Sequence, residues 1–381
     1  MRRTIVLATT AVAATLVVGT AVVPGSAAVP AKSRGKPAIV FNGEGNNLNA
    51  YSSVPPFKKQ RVITNAEDDP RKGRDINAQI CFFPGTRNGK RWFIAGEDTG
   101  QPDPPQGWGI FALSGDRVGK LKAKQIGKLT PTYQGSLDNA ENYGCGFLRD
   151  GRVLTTDIGN QASGTGDGQL IVWFPPFNRM KVRYCKIDVG IATAGNIYVD
   201  EQDRVYVPSA RPPSAGVWRY TGPFPTSDTP EGGCETTDVT GAPKTDSVTK
   251  ELFIPSGGDI ATPNSIVRSP RGGFYVSSVF NGVIAEVDRD GTFLRTVLKP
   301  APGDELGEKP YATGTPLGLG IDKKGTLYYA DIGIVIDDGG VGPGDRTGTV
   351  RRIRFVDGEP QAPQTMARGL AFPDGIGVLN P

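Results

Sequence analysis

The sequence predicts an all-β protein, a six-bladed β-propeller of four-stranded antiparallel blades, and three observations carry that expectation. Gly (52) and Pro (32) are abundant in the 381 residues. No long run of helical apolar periodicity follows the N-terminus, so turns and short strands should dominate. Residues 262–291 read as three short strands joined by tight turns. They comprise an apolar run at 265–268, the turn Ser269-Pro270-Arg271-Gly272-Gly273, a β-branched and aromatic run at 274–279, the hairpin signal Asn281-Gly282 and an alternating run at 283–287. This unit recurs roughly every fifty to sixty residues, the range of antiparallel propeller blades.

At the N-terminus, Met1-Arg2-Arg3, an apolar run over 5–23 and Pro24-Gly25-Ser26-Ala27-Ala28 form the three parts of a secretory signal peptide, with cleavage expected before Val29. The run is nearly long enough to span a membrane, so an uncleaved anchor is the alternative. Its Ala, Thr and Gly content and the Pro-Gly break favour cleavage. The organisation expected is a signal peptide over 1–28, a polar leader over 29–36 and a single propeller domain over 37–381. Such a protein is secreted, acts as a monomer and has no membrane contact after cleavage.

Strands at 37–41, 48–54 and 59–64 come next and lack a fourth partner nearby. Five units then open at Ile76, Glu141, Gly195, Thr262 and Thr315, the third carrying a long Pro/Thr loop before its last strand at 252–255. Residues 372–380 repeat the opening of a unit with no strands left to follow. The three orphan strands complete that last blade, which closes the ring and removes its open edges.

Lys+Arg 43 against Asp+Glu 39 gives a formal net charge of +4 with the signs well mixed, too mild for a nucleic-acid partner. Histidine is absent. That excludes Ser-His-Asp and Cys-His catalysis and any His-ligated metal, leaving carboxylates, amides, hydroxyls, Lys, Tyr and oxygen-bound cations. Four cysteines in an exported chain imply two disulfides with three possible pairings. Cys81 and Cys145 sit at similar places on neighbouring inner strands, and Cys185 and Cys234 lie towards outer strands or loops. This favours Cys81–Cys145 with Cys185–Cys234; the alternative is that Cys81 and Cys145 are small buried residues.

In a propeller the innermost strands line a channel, so residues at their mouths converge although distant in sequence. Aligning the units brings together Asn77, Glu141 with Asn142, Asn196, Asn264, Leu317 and Asp374. An oxygen-rich ring of this kind suits a hard cation such as Ca²⁺. For any one Asn, a turn or strand-start role is the competing explanation.

These residues resemble the six-bladed SMP-30/gluconolactonase/luciferin-regenerating-type propellers, with NHL-repeat and streptogramin-lyase-like propellers as neighbours. Glu141, Pro263-Asn264-Ser265 and Pro373-Asp374-Gly375 look like the blade openings that bind one divalent cation in that family, and 77–96 looks like the blade that presents an Asn to substrate. Two departures stand out: Pro316-Leu317-Gly318 falls where an Asn ligand is expected, and the family's Arg-x-Asn-Asp-Gly substrate motif is missing.

The resemblance implies a hydrolase opening a lactone or small ester. Glu141, Asn196, Asn264 and Asp374 would hold the cation, with Ca²⁺ favoured over Mn²⁺ or Zn²⁺. Asp374 or Glu141 would move protons, and Asn77, Asn142 and Asn196 would contact a small-molecule substrate. The alternative, favoured by Leu317, is a non-catalytic propeller binding a protein or glycan partner. The acidic glycine run Asp337 to Asp345 reads as a flexible loop. Trp92, Trp173 and Trp218 are expected to pack between blades, whereas Trp108, following a Pro-rich loop, is expected to overhang the channel.

Overall fold

A computed structural model describes residues 36–98, 107–132, 140–160, 168–338 and 340–380, with only the backbone of 98, 140, 141, 159 and 160. The expected signal peptide and all of the leader except Lys36 lie outside the described residues. No helix among the described residues is long and apolar enough to cross a membrane.

Six four-stranded antiparallel blades form the fold. Blade 1 runs Asp75–Phe82, Arg91–Asp98, Gly107–Ser114 and Lys122–Leu129 from the channel outwards. Blade 2 runs Ala140–Phe147, Val153–Asn160, Gly168–Trp173 and Tyr184–Ile191. Blade 3 has an inner strand of two residues, Tyr198–Val199, then Val205–Ser209, Gly216–Thr221 and Thr249–Pro255. Blade 4 is Pro263–Arg268, Phe274–Ser278, Val283–Val287 and Phe293–Leu298. Blade 5 is Pro316–Ile321, Leu327–Asp331, Gly348–Ile353 and Gln364–Leu370. Blade 6 takes its inner strand, Ile376–Leu379, from the C-terminus and Ile39–Glu44, Asn47–Ser52 and Lys59–Ile63 from the N-terminal end. The ring closes as the orphan strands require.

Between successive blades lie apolar clusters that account for the aromatic and β-branched strand residues. Phe41 and Leu48 of blade 6 meet Phe93 and Phe111 of blade 1. Trp108 and Ile110 meet Ile171 and Trp173 across blades 1 and 2, and equivalent clusters join each remaining pair. Trp108 is therefore core, 1 % exposed, and does not overhang the channel. Its indole is worth more in the apolar inter-blade layer than over solvent.

The first hairpins of blades 3 and 5 are set by one local device. Asp200 accepts from the backbone N–H groups of Gln202 and Arg204 at 2.9 Å and from Tyr206 Oη at 3.2 Å. Asp322 repeats this with Lys324 and Thr326 at 2.9 Å and Tyr328 Oη at 2.8 Å. An aspartate that caps its own turn backbone fixes the register of the strands on either side.

Both favoured disulfides form. Cys81–Cys145 ties the inner strands of blades 1 and 2, with Cα atoms 6.0 Å apart. Cys185–Cys234 ties blade 2's outer strand to the long loop of blade 3. That loop folds back as Thr236–Thr237 and Pro243–Lys244, widening the blade 2 sheet to six strands through a parallel Lys186↔Lys244 pairing. Beside it, Lys186 Nζ meets Asp238 Oδ2 at 2.5 Å, with both side chains fully covered.

Candidate functional site at the channel mouth

The inner strands begin at one end of the channel, and the aligned residues gather there. Asn196 precedes the short inner strand of blade 3. Its N–H donates to Asn264 O at 2.8 Å, drawing it against the inner strand of blade 4. Gly195 makes this approach possible, because a Cβ there would lie 2.0 Å from Asn264 O. Across the channel, a Cβ on Gly318 would meet Asp374 O at 2.4 Å and Asn196 Nδ2 at 3.0 Å, so glycine again allows three blades to touch.

Asp374 is 5 % exposed. Its Oδ2 accepts from Ala78 N and its Oδ1 from Gly375 N, both at 2.6 Å. Asn77 and Asn142 flank Gly96, whose added Cβ would lie 2.3 Å from Asn77 Oδ1 and 3.1 Å from Asn142 Cβ. The amide of Asn142 donates to Gly107 O at 2.6 Å. Behind it, burial pushes the Glu97 carboxyl above the usual carboxylate range, although Lys128 and Arg74 pull the other way. Glu141 is the second residue of the inner strand of blade 2, and its side chain lies outside those described.

Three of these amides carry buried polar atoms without a hydrogen-bond partner among the described residues: Asn77 Oδ1, Asn196 Nδ2 and Asn264 Oδ1. Buried polar groups are nearly always paired, and these three lie at blade openings at one channel end. The Asn196 amide assignment is interchangeable, and turning it would present oxygen instead. As a donor set, neutral amide oxygens beside a carboxylate suit a hard cation. Among the described residues no three Asp, Glu, Cys or His side chains converge on a metal position.

Above these residues is an apolar cup of about 160 Å³, lined by Tyr143, Val279, Phe280, Leu317, Ile332, Ile334 and Phe372, with Asn264, Thr193 and Arg211 as its other polar contributors. Leu317, Val279, Ile332 and Ile334 form an apolar cluster of their own. The hairpin Ile334–Asp337 and Gly340–Pro343 places Val341 and Pro343 on the rim. The run expected to be a flexible acidic loop is thus largely this hairpin. Its base is held by Asp331, which accepts from Thr315 N at 2.8 Å, Gly333 N at 3.0 Å and Thr349 Oγ1 at 2.7 Å. Sequence alignment of blade openings missed the hairpin, Arg211 and Phe372. The alternation Ile334-Val335-Ile336 before a glycine turn was the available signal for the first.

No family model and no curated protein matches the chain. Among solved structures it is similar to a protein of unknown function from Bacteroides caccae, at 13% identity and TM-score 0.49, covering 91% of this chain and 100% of that one. It is also similar to the calcium-binding protein regucalcin from Agrobacterium tumefaciens, at 14% identity and TM-score 0.45, covering 77% of each. A third is virginiamycin B lyase from Staphylococcus aureus, at 10% identity and TM-score 0.41, covering 83% of this chain and 76% of that one. The six-bladed architecture itself rests on the strand pairing of this chain.

Proposed function

We propose that the chain is an exported, lactonase-like hydrolase that opens a small lactone or ester held in the cup at the channel mouth. The observation that supports this most is Asn264 Oδ1, a buried acceptor with no partner among the described residues, on an apolar cup of small-molecule size. Glu141, Asn196, Asn264 and Asp374 would hold a divalent cation, calcium first by donor chemistry and manganese or zinc as alternatives. When bound, such a cation supplies a polarised carbonyl or an activated water without histidine.

The chain's own residues do the rest. The backbone N–H groups of Ala78 and Gly375 hold the Asp374 carboxylate in one orientation. Asp374 or Glu141 would move the proton between water and the leaving oxygen. Asn77 Oδ1 would accept from a substrate hydroxyl, with Asn142 and Asn196 beside it, and the apolar walls would exclude bulk water. Two disulfides fit the oxidising compartment that export implies.

Metal analysis of the mature protein and a lactone and ester panel test the reading. Turnover that is lost in Glu141→Gln and Asp374→Asn with retained folding is expected; no turnover on any member and no cation-dependent thermal shift would overturn it. A second reading, a non-catalytic propeller binding a protein or glycan partner, draws on the exposed apolar side chains Val341 and Phe372 at the rim. Saturable binding of such a partner without turnover would favour it.

A further inference from the structure

We infer that the cup selects a monocarboxylate with a compact apolar body, Arg211 holding the carboxylate at the rim. Among the described residues lining the cup, Arg211 is the charged one, and none of them is Asp or Glu. No hydrogen bond or ion pair engages its guanidinium among the described residues. An arginine left unpaired beside an apolar hollow is a ready site for a planar anion, because its fork matches a carboxylate bidentately.

The arginine is presented from a braced turn. Ser209 Oγ and Ser214 Oγ share a hydrogen bond at 2.8 Å, Ala192 N donates to Ser214 Oγ at 2.7 Å, and Thr193 N donates to Ser209 Oγ at 3.3 Å. Ala192 and Thr193 themselves line the cup, so the turn bearing Arg211 is tied to the wall it serves.

Phe372 adds a second, independent observation. It is held at φ 46°, the left-handed region that a bulky side chain rarely adopts, and the residue stays 40 % exposed beside the cup. A bulky residue kept exposed in that region is a candidate functional position, and an aromatic ring there can cover an apolar ligand body. The cup's volume of about 160 Å³ sets the size of that body near benzene, which fills an apolar cavity of ~150 Å³.

This deepens the hydrolase reading and rests on it for its place in the reaction. Opening a lactone breaks the acyl C–O bond and forms one to the water oxygen. One water proton goes to the released hydroxyl and the other to solvent, leaving a hydroxy-carboxylate. Arg211 would then hold the product anion more tightly than the neutral substrate.

Calorimetric titration of the mature protein with benzoate and with methyl benzoate tests the inference, on wild type, Arg211→Gln and Arg211→Lys. Saturable benzoate binding that weakens with salt, falls tenfold or more in Arg211→Gln and is partly kept in Arg211→Lys is expected. Methyl benzoate should bind all three proteins alike. No saturable benzoate binding, or equal benzoate affinity in Arg211→Gln, overturns it. Unchanged melting temperatures confirm that the exposed substitutions leave the fold intact. Carboxylate binding without turnover on any lactone or ester would remove the hydrolase reading and leave this one; turnover without carboxylate binding would do the reverse.

Discussion

The backbone N–H of Asn196 donates to the carbonyl oxygen of Asn264 at 2.8 Å, locking the inner strand of blade 3 onto that of blade 4 while leaving Asn264 Oδ1 without a partner. The backbone of this pair is structural, and the side chains are spare. That separation lets stability and binding be measured apart.

Asn264→Leu keeps the carbonyl acceptor and removes the orphan amide. Because an unsatisfied buried polar group costs about 1–3 kcal/mol, the variant should melt at the same temperature or higher. It should also lose any calcium-induced thermal shift shown by wild type. Melting curves with calcium and with chelator give both readouts; a destabilised variant would mean that the amide has a structural partner.

Leu317→Asn supplies the oxygen missing from the fifth blade. Placed among Val279, Ile332 and Ile334, it should cost about 1–3 kcal/mol in chelator. If the ring is a cation site, calcium should then stabilise the variant more than wild type. An equal or smaller calcium shift would show that position 317 does not face the cation.

Much of this ring was legible in the sequence, because turn and strand chemistry is local. Asn281-Gly282 between two apolar runs marks a hairpin, and the unfinished unit at 372–380 demands strands from elsewhere. The cup was not legible. Leu317 looked like a lost ligand, but Ile332 and Ile334 give it apolar neighbours only after the hairpin folds over the mouth. Arg211 follows an ordinary strand, and nothing local distinguishes it from a solvated charge. The two-residue strands at 236–237 and 243–244 lie in a Pro/Thr loop and exist only because blade 2 offers an edge.

Cys185 and Cys234 are 49 residues apart in sequence, and their bond closes the long blade 3 loop onto blade 2. Cys185→Ser with Cys234→Ser should lower stability by about 2–5 kcal/mol. It should also open new protease cuts within 222–248 before the rest of the chain is attacked. Cleavage beginning elsewhere would show that the loop is held without the disulfide.

Lys186 and Asp238 complete that clasp and make it pH-dependent. Burial disfavours the Asp238 carboxylate, but hydrogen bonds from Lys186, Thr240 and Ala242 outweigh it and hold the group at about 2. With the folded value below the ordinary aspartate value near 4, the contribution is full above about pH 4 and is lost as pH falls towards 2. Asp238→Asn leaves a buried ammonium unpaired and should cost about 3–5 kcal/mol at neutral pH, whereas Lys186→Met with Asp238→Leu should cost much less. Urea denaturation at pH 7, 4 and 3 should show the gap between wild type and Asp238→Asn narrowing with acid. A gap that stays constant to pH 3 and below would place the acid-sensitive charge elsewhere in the propeller.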